Sequence, residues 1–424
     1  MSVLVADREA GRYVKHLLRF LGQANAERRL AAIDRELQHE TGIYGHYWVR
    51  PRRRWWLGLR EARDVLKQHG SLRGRLTPEM YEALDTAVTI SRLYKGMPPA
   101  IRNDFAGRIL KLDDLRPTLV ELDVAGVFDE HGYRIEWLPD LPGTRRAEFL
   151  AHGKELTIEV ECKTESVDEG RKLERRRVIR VIERIVKILA DRAFHGSLDV
   201  TVAKRMPPGV EWEEALLRTV NDIPPSDESA ATLEDGTRVV VSGVYPNERR
   251  VSVAEIETAM GAQLDEFAHV FIGGRRDGDH VLNPIAVRMV SATKDSVVTA
   301  IFEDLKDARR QCSGKHPALI CCHIPELSAA DFLELRKSGA LRAKTRLFFE
   351  KHAPEWVYAV SYSSEPEAVR YPNGYGSVTH SVAFRNPQFK SAGGKRLPPV
   401  PGRLDEDEPI SPFVRGRGGV GMRD

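Results

Sequence analysis

The stretch Thr157-Ile158-Glu159-Val160-Glu161-Cys162-Lys163 decides how this chain is read. Apolar and polar residues alternate with period two, which predicts a β-strand. Leu156, Ile158, Val160 and Cys162 are expected on one face, and Thr157, Glu159, Glu161 and Lys163 on the other. Residues i and i+2 of a strand share a face, so Glu161 and Lys163 should lie side by side. Upstream stand Glu121, in a helical run, and Glu148, at the start of a partner strand. Converging carboxylates with a lysine suit a metal-dependent phosphodiesterase. The acids hold a divalent cation, and the lysine stabilises charge or orients the attacking water. The competing reading is a wet strand face merely solvated by Glu and Lys. Against it, the strand sits between an apolar hairpin partner and an apolar helix, where a buried acid needs a partner or a metal.

Working outward, a helix over residues 117–130 precedes strands at 133–138, 146–151 and 156–163. A helix over 170–192 follows, with Val178, Ile182, Ile185 and Leu189 as its inward face, and then a strand at 198–202. This α-β-β-β-α-β order predicts an α/β fold, a mixed sheet with helices packed on it. Residues 1–115 form a helical N-terminal region by their 3.6-residue apolar spacing. Thr77-Pro78-Glu79 marks one helix start. The domain expectation is therefore a helical region over 1–115, a core over 116–205, and an α/β region over 206–390 that could complete the core. From Ser391 on, Gly, Pro and charged residues dominate, which predicts disorder for 391–424.

With 424 residues, 42% hydrophobic and 30% charged, the composition is that of a globular protein of two to three units. A formal net charge of +3 requires any nucleic-acid footprint to be local. The histidines and the four cysteines, Cys162, Cys312, Cys321 and Cys322, have no zinc spacing. The cysteines sit in apolar runs rather than in a disulfide framework. Without a span-length apolar run or a signal-peptide pattern at the N-terminus, the expectation is a cytoplasmic protein with no membrane partner.

The run Leu119-Val120-Glu121-Leu122 through Trp137, then Arg146-Ala147-Glu148-Phe149-Leu150, then Val160-Glu161-Cys162-Lys163, resembles the PD-(D/E)XK nuclease superfamily. That resemblance covers residues 117–200 and implies a restriction-endonuclease-like core. It implies an acid on the opening helix (Glu121), an acid on the second strand (Glu148) and Glu-x-Lys on the third (Glu161 and Lys163). Glu148 and Glu161 would hold Mg²⁺ or Mn²⁺. The family's second-strand acid is usually Asp, often after Pro, and Pro139-Asp140 is the alternative to Glu148. Glu148 is favoured because it lies in the strand that pairs with the Glu161 strand. The implied activity is metal-dependent hydrolysis of phosphodiester bonds, with DNA as the partner. The build is similar to nuclease effectors of bacterial defence or mobile-element systems, which would add a protein partner. The longer glutamate also leaves a second reading, a catalytically inactive nuclease-like fold acting as a nucleic-acid-binding or assembly module.

Two basic runs are candidate nucleic-acid contacts. Arg52, Arg53 and Arg54 lie between Trp48 and Trp55-Trp56, a mixture suited to backbone contact and stacking. Arg171, Lys172, Arg175 and Arg176 flank the candidate site in sequence. Each has an ordinary alternative. The first would be a surface loop anchored by its tryptophans, and the second a solvated helix face balanced by Glu165, Asp168, Glu169 and Glu174.

Overall fold

The computed structural model describes residues 7–40, 42–138, 146–164, 170–246, 248–252, 255–256, 269–277, 279–293, 297–325, 329–371, 374–389, 400–401 and 403–404. The described chain opens with helices α1 (Asp7–Leu21), α2 (Gln23–His39), α3 (Arg50–His69), α4 (Tyr81–Leu93), α5 (Pro99–Lys111) and α6 (Arg116–Glu130). Pro99 and Pro117 stand in the first turns of α5 and α6, where a missing N–H costs nothing. Strands β1 (Arg134–Trp137), β2 (Phe149–His152) and β3 (Thr157–Thr164) follow as an antiparallel meander. Next come α7 (Arg175–Asp191), β4 (Gly196–Val202), α8 (Val210–Asp222), β5 (Ala230–Thr232), β6 (Arg238–Val244), β7 (Arg250–Ser252), β8 (His269–Asp277) and β9 (His280–Ser291). The rest is α9 (Val297–Gln311), β10 (Ala318–His323), α10 (Ala329–Lys337), α11 (Ala340–Lys351), β11 (Val357–Tyr371), β12 (Gly374–Arg385) and β13 (Arg403–Leu404).

These elements form two compact units. Unit 1 is Met1–Glu36, Arg52–Val167 and Val298–Asp424, and unit 2 is Leu37–Pro51 and Asp168–Val297. Unit 1 is built on a seven-stranded mixed sheet in the order β1-β2-β3-β10-β11-β12-β13. β10 runs parallel to both β3 and β11. It is buried along its whole length, which is why Ala318 to Cys322 read as a continuous apolar run. The β3–β10 register pairs Glu161 with Ile320 and Lys163 with Cys322, so these share one face of the sheet. Val160, Cys162, Leu319, Cys321 and His323 share the other. On the first face, α9 is tied to β3 through Glu159 and Lys163, as described below. α11 is tied to β11 on that face by a 2.7 Å hydrogen bond between Thr345 Oγ1 and the Tyr362 hydroxyl. α6 packs over β1, β2 and β3, and α4 packs on α1 and α6.

Unit 2 has its own six-stranded sheet, ordered β5-β6-β4-β9-β7 with β8 also paired to β9. Its core joins Val178, Ile182, Ile185 and Leu189 of α7 to Leu198, Val200 and Val202 of β4, Leu216 of α8, and Val287 and Met289 of β9. Residues 37–51 belong here because Tyr44 and Val49 pack on Ile179. The Tyr44 ring also carries the Arg180 guanidinium 4.4 Å from its centroid.

Four sequence expectations are corrected. The core expected over 116–205 takes in elements of two sheets. α7 and β4 lie in the sheet of unit 2, while the neighbour of β3 is β10, some 155 residues further on. The inward face of α7 was legible, but amphipathic spacing does not say which sheet covers it. The helical region over 1–115 is not a separate body, since α4 packs on α6 and β12 within unit 1 and residues 37–51 belong to unit 2. The arginine–tryptophan run is helical, the start of α3, and Trp55 and Trp56 are buried. In the segment expected to be disordered, Arg403 and Leu404 pair with Val382 and Ala383 of β12. The remainder of that segment, like Asp140, lies outside the described residues, apart from residues 400–401.

Candidate active site on strand β3

Alternation divides β3 into two faces, and neither is wet. Glu159 and Glu161 are as buried as Ile158 and Val160, with Glu161 fully inaccessible. A buried carboxylate must be compensated, and the two are compensated differently. The Glu159 carboxylate accepts hydrogen bonds from Ser313 N–H (2.8 Å), Gly314 N–H (3.3 Å) and the Ser313 hydroxyl. It anchors the turn after α9 and has a structural role. Glu161 Oε1 lies 2.8 Å from Lys163 Nζ, the neighbour predicted from the i, i+2 spacing. Lys163 also donates to Gln311 Oε1 at the end of α9.

Glu148 stands one residue before β2. Its N–H donates to the Val160 carbonyl (3.0 Å), and its carbonyl accepts from Leu138 N–H (3.1 Å). These bonds carry the pairing of β2 one residue further and bring Glu148 beside Glu161. Glu121, on the buried side of α6, is gripped by Arg108 of α5 in a bidentate pair of 2.8 and 2.5 Å. All four candidate residues are therefore gathered, and Glu121, Glu161 and Lys163 each act on the ionisation of Glu148. Burial first, then repulsion from Glu121 and Glu161, push the Glu148 carboxyl up to about 8, against the pull of Arg108 and Lys163. Burial works against the Lys163 charge, but Glu161, Glu148 and Asp304 outweigh it and raise its pKa above that of an ordinary lysine. Lys163 is thus a cation at neutral pH.

Arg108, Gln311 and Asp304 are the participants that sequence reading missed. Each sits on a helix whose surface charge is unremarkable in sequence, and only the packing of α5 and α9 brings them in.

Comparison with protein-family models, with curated proteins and with solved structures finds no match.

The site has the donors a hard divalent cation takes, carboxylate oxygens on adjacent strands. Burial and the neighbouring acids hold the Glu148 carboxyl at about 8, so it is protonated at neutral pH, and a bound cation would favour its ionised form. Among the described residues, however, no three His, Cys, Asp or Glu side chains are gathered as a ready metal-ligand set. Arg108 and Lys163 hold the places beside Glu121 and Glu161.

The basic candidates separate. Arg53 is buried and donates to Glu36 (2.9 and 3.0 Å), to the Asp113 carboxylate (3.1 Å) and to the Asp113 carbonyl (3.1 Å). It is a strut between helices and cannot reach a phosphate. Arg52 bears on the ionisation of Asp114, and Arg54 lines a cavity of about 100 Å³ with Glu82 and His323. Arg176 Nε donates to the Tyr44 hydroxyl (3.0 Å), which ties it to residues 37–51. Arg171 and Lys172 lie in the segment before α7 and Arg175 is its first residue, all in unit 2.

Cys321 and Cys322 are core, as expected, and all four cysteines are free and buried. The structure sets His323 Nδ1 3.1 Å from Ser363 Oγ, with Glu365 shared between His323 and Arg116. No helix among the described residues is long and apolar enough to cross a membrane.

Proposed function

We propose that the chain is a metal-dependent nuclease that hydrolyses phosphodiester bonds of DNA. One observation carries the reading: fully buried Glu161 has Lys163 Nζ 2.8 Å away and a second half-buried acid, Glu148, beside it on the adjoining strand. Two carboxylates and a lysine gathered this way are costly to fold unless they serve a charge that arrives later. Glu148 and Glu161 would hold the cation, Mg²⁺ or Mn²⁺. When bound, such an ion polarises a phosphoryl oxygen and makes water nucleophilic near neutral pH. Lys163 can donate to the attacking water or to the phosphoryl oxygens, where negative charge grows in the transition state. Its bond to Gln311 holds the ammonium in position. Glu121, neutralised by Arg108, acts through the field at Glu148 rather than as a ligand.

The order of elements gives further support. α6, β1, β2 and β3 carry an acid on the helix, an acid at the second strand and Glu-x-Lys on the third, as the resemblance to PD-(D/E)XK nucleases implies. On this reading α9 and β10 supply the following helix and parallel strand, with 168–297 intervening in sequence. A place as an effector in a bacterial defence or mobile-element system, with a protein partner, belongs to the same proposal by analogy alone.

A specific observation favours the second reading, an inactive nuclease-like fold used for binding or assembly. Two of the three acids already have internal cations, Arg108 for Glu121 and Lys163 for Glu161. Plasmid cleavage in Mg²⁺, Mn²⁺ and EDTA separates the two. Metal-dependent nicking that disappears in Glu161→Ala supports the nuclease. A chain that neither cuts nor gives a calorimetric Mn²⁺ signal supports the binding module.

A further inference from the structure

On the sheet face opposite Lys163, unit 1 holds a cavity of about 100 Å³. Leu119, Val120, Val124 and Val127 of α6 give it an apolar wall, and His323, Ser363 and Glu365 also line it. His323 is the last residue of β10, and the parallel register sets it directly opposite Ser363 of β11. The Ile324 N–H donates to the Ser363 carbonyl at 2.9 Å and holds that register. Ser363 pairs with Ser381 and Pro366 with Thr379, so β11 carries one residue more than β12 between them. Such a bulge bends a strand and re-aims its side chains, and Glu365 lies within it. His323 Nδ1 lies 3.1 Å from Ser363 Oγ, and Nε2 lies 3.8 Å from Glu365 Oε1. Arg116 Nη1 steadies Glu365 in turn, at 3.4 Å. Burial works against a charged Glu365, but His323 and Arg116 outweigh it and hold its carboxyl below the ordinary range. A carboxylate facing Nε2 keeps the ring proton there, which leaves Nδ1 as acceptor for the Ser363 hydroxyl. His323 is buried, whereas Ser363 is half-buried and borders the cavity.

A hydroxyl bonded to a base, with the base oriented by a third group, is the arrangement that activates a serine. We propose that Ser363 and His323 form a catalytic pair that hydrolyses a carboxylic ester with a short acyl group, Glu365 being the positioning residue. A cavity of about 150 Å³ holds benzene, so this one suits an acyl chain of a few carbons lying against α6. The Ser363 proton passes to His323 Nδ1 as Oγ bonds to the carbonyl carbon and the carbonyl electron pair moves onto its oxygen. Glu365 faces the imidazolium that forms. Arg54 and Arg116 also line the cavity, so the oxyanion has cations in its walls. The pair then returns, the bond to the alcohol oxygen breaks, and that oxygen takes the proton from His323. Water repeats the sequence on the acyl-serine, giving its proton to His323 and releasing the acid, and Oγ regains a proton. The inference does not depend on the nuclease reading.

The test uses the full chain in EDTA, which silences metal-dependent cleavage. A fluorophosphonate probe, which bonds to an activated serine and expels fluoride, is expected to label Ser363, as mapped by peptide mass spectrometry. p-Nitrophenyl acetate, propionate and butyrate should be hydrolysed, and the octanoate rejected by the small cavity. Ser363→Ala should lose both label and turnover. His323→Gln should slow turnover by about 10² to 10⁴, the range of a general base. Glu365→Gln should lower kcat at unchanged KM, with partial recovery in Glu365→Asp, a pattern that a merely structural carboxylate would not give. Melting temperatures check that each variant folds, and labelling of wild type needs no variant at all. A wild-type chain left unlabelled at Ser363, or inert towards all three short esters, overturns the proposal. Turnover undiminished in Ser363→Ala, or octanoate cleaved as fast as acetate, overturns it too.

Discussion

Glu159 and Glu161 are two residues apart on one strand face, equally buried, and divided in purpose by what covers them. Ser313 and Gly314 saturate the first with hydrogen bonds from the turn after α9, whereas the second faces Lys163 and Glu148. Lys163→Ala should therefore lower the cleavage rate by about 10² to 10³, the scale of a lost transition-state donor, or about 3 to 4 kcal/mol. Single-turnover cleavage with a melting control reads it, and a normal rate would make the lysine a structural counter-ion. Glu148→Gln should abolish metal-dependent cleavage, while Asp140→Asn should leave it intact. The reverse pattern would move the second acid to Asp140. Glu148→Asp restores the acid usual in the resembling family, and raised activity there would mean that the natural glutamate holds the ion less well.

Between elements, ion pairs at helix contacts carry much of the specificity. Arg108 of α5 and Glu121 of α6 form a largely buried bidentate pair. Arg108→Met strands the carboxylate and should cost roughly 3 kcal/mol. The double variant with Glu121→Met should regain most of that, because an apolar pair needs no compensation. A urea-denaturation double-mutant cycle measures the coupling, and additive losses would contradict it. Across the sheet from Lys163, Glu82 of α4 lies beside Glu365 and Asp85, and burial followed by those two acids raises its carboxyl to about 7. A folded-state pKa above the unfolded one means that the native state holds the proton more tightly. Its stabilising contribution is thus complete below about 4.5 and lost as pH rises through about 7. Urea midpoints at pH 5 and pH 8 should differ less in Glu82→Gln than in wild type. Equal differences would show that Glu82 titrates normally.

For the whole molecule, a cation bound only by the folded chain stabilises it by mass action, about 2.7 kcal/mol at a hundredfold excess over Kd. Mg²⁺ or Mn²⁺ should therefore raise the melting temperature of wild type by a few degrees and leave Glu161→Ala unmoved. A wild-type melting temperature blind to both ions would favour the binding-module reading. The chain threads unit 2 twice, at 37–51 and 168–297, and returns to complete the sheet of unit 1 with β10. That threading separates in sequence the strands that lie side by side at the site.

The elements around the site were legible in the sequence. Period-two alternation marked β3, the glutamate–lysine spacing put Glu161 next to Lys163, and α6 with β1 and β2 stood out by apolar spacing and turn residues. These are local properties, set by backbone geometry within a few residues. Tertiary structure alone decided that both faces of β3 are buried, that β10 rather than β4 lies beside it, that Arg108 claims Glu121, and that Arg53 is a strut. Each of these depends on a partner distant in sequence or in a different element. Amphipathic spacing records that a face is covered, while the identity of the cover is chosen by long-range packing and by the pairing that buried charge demands.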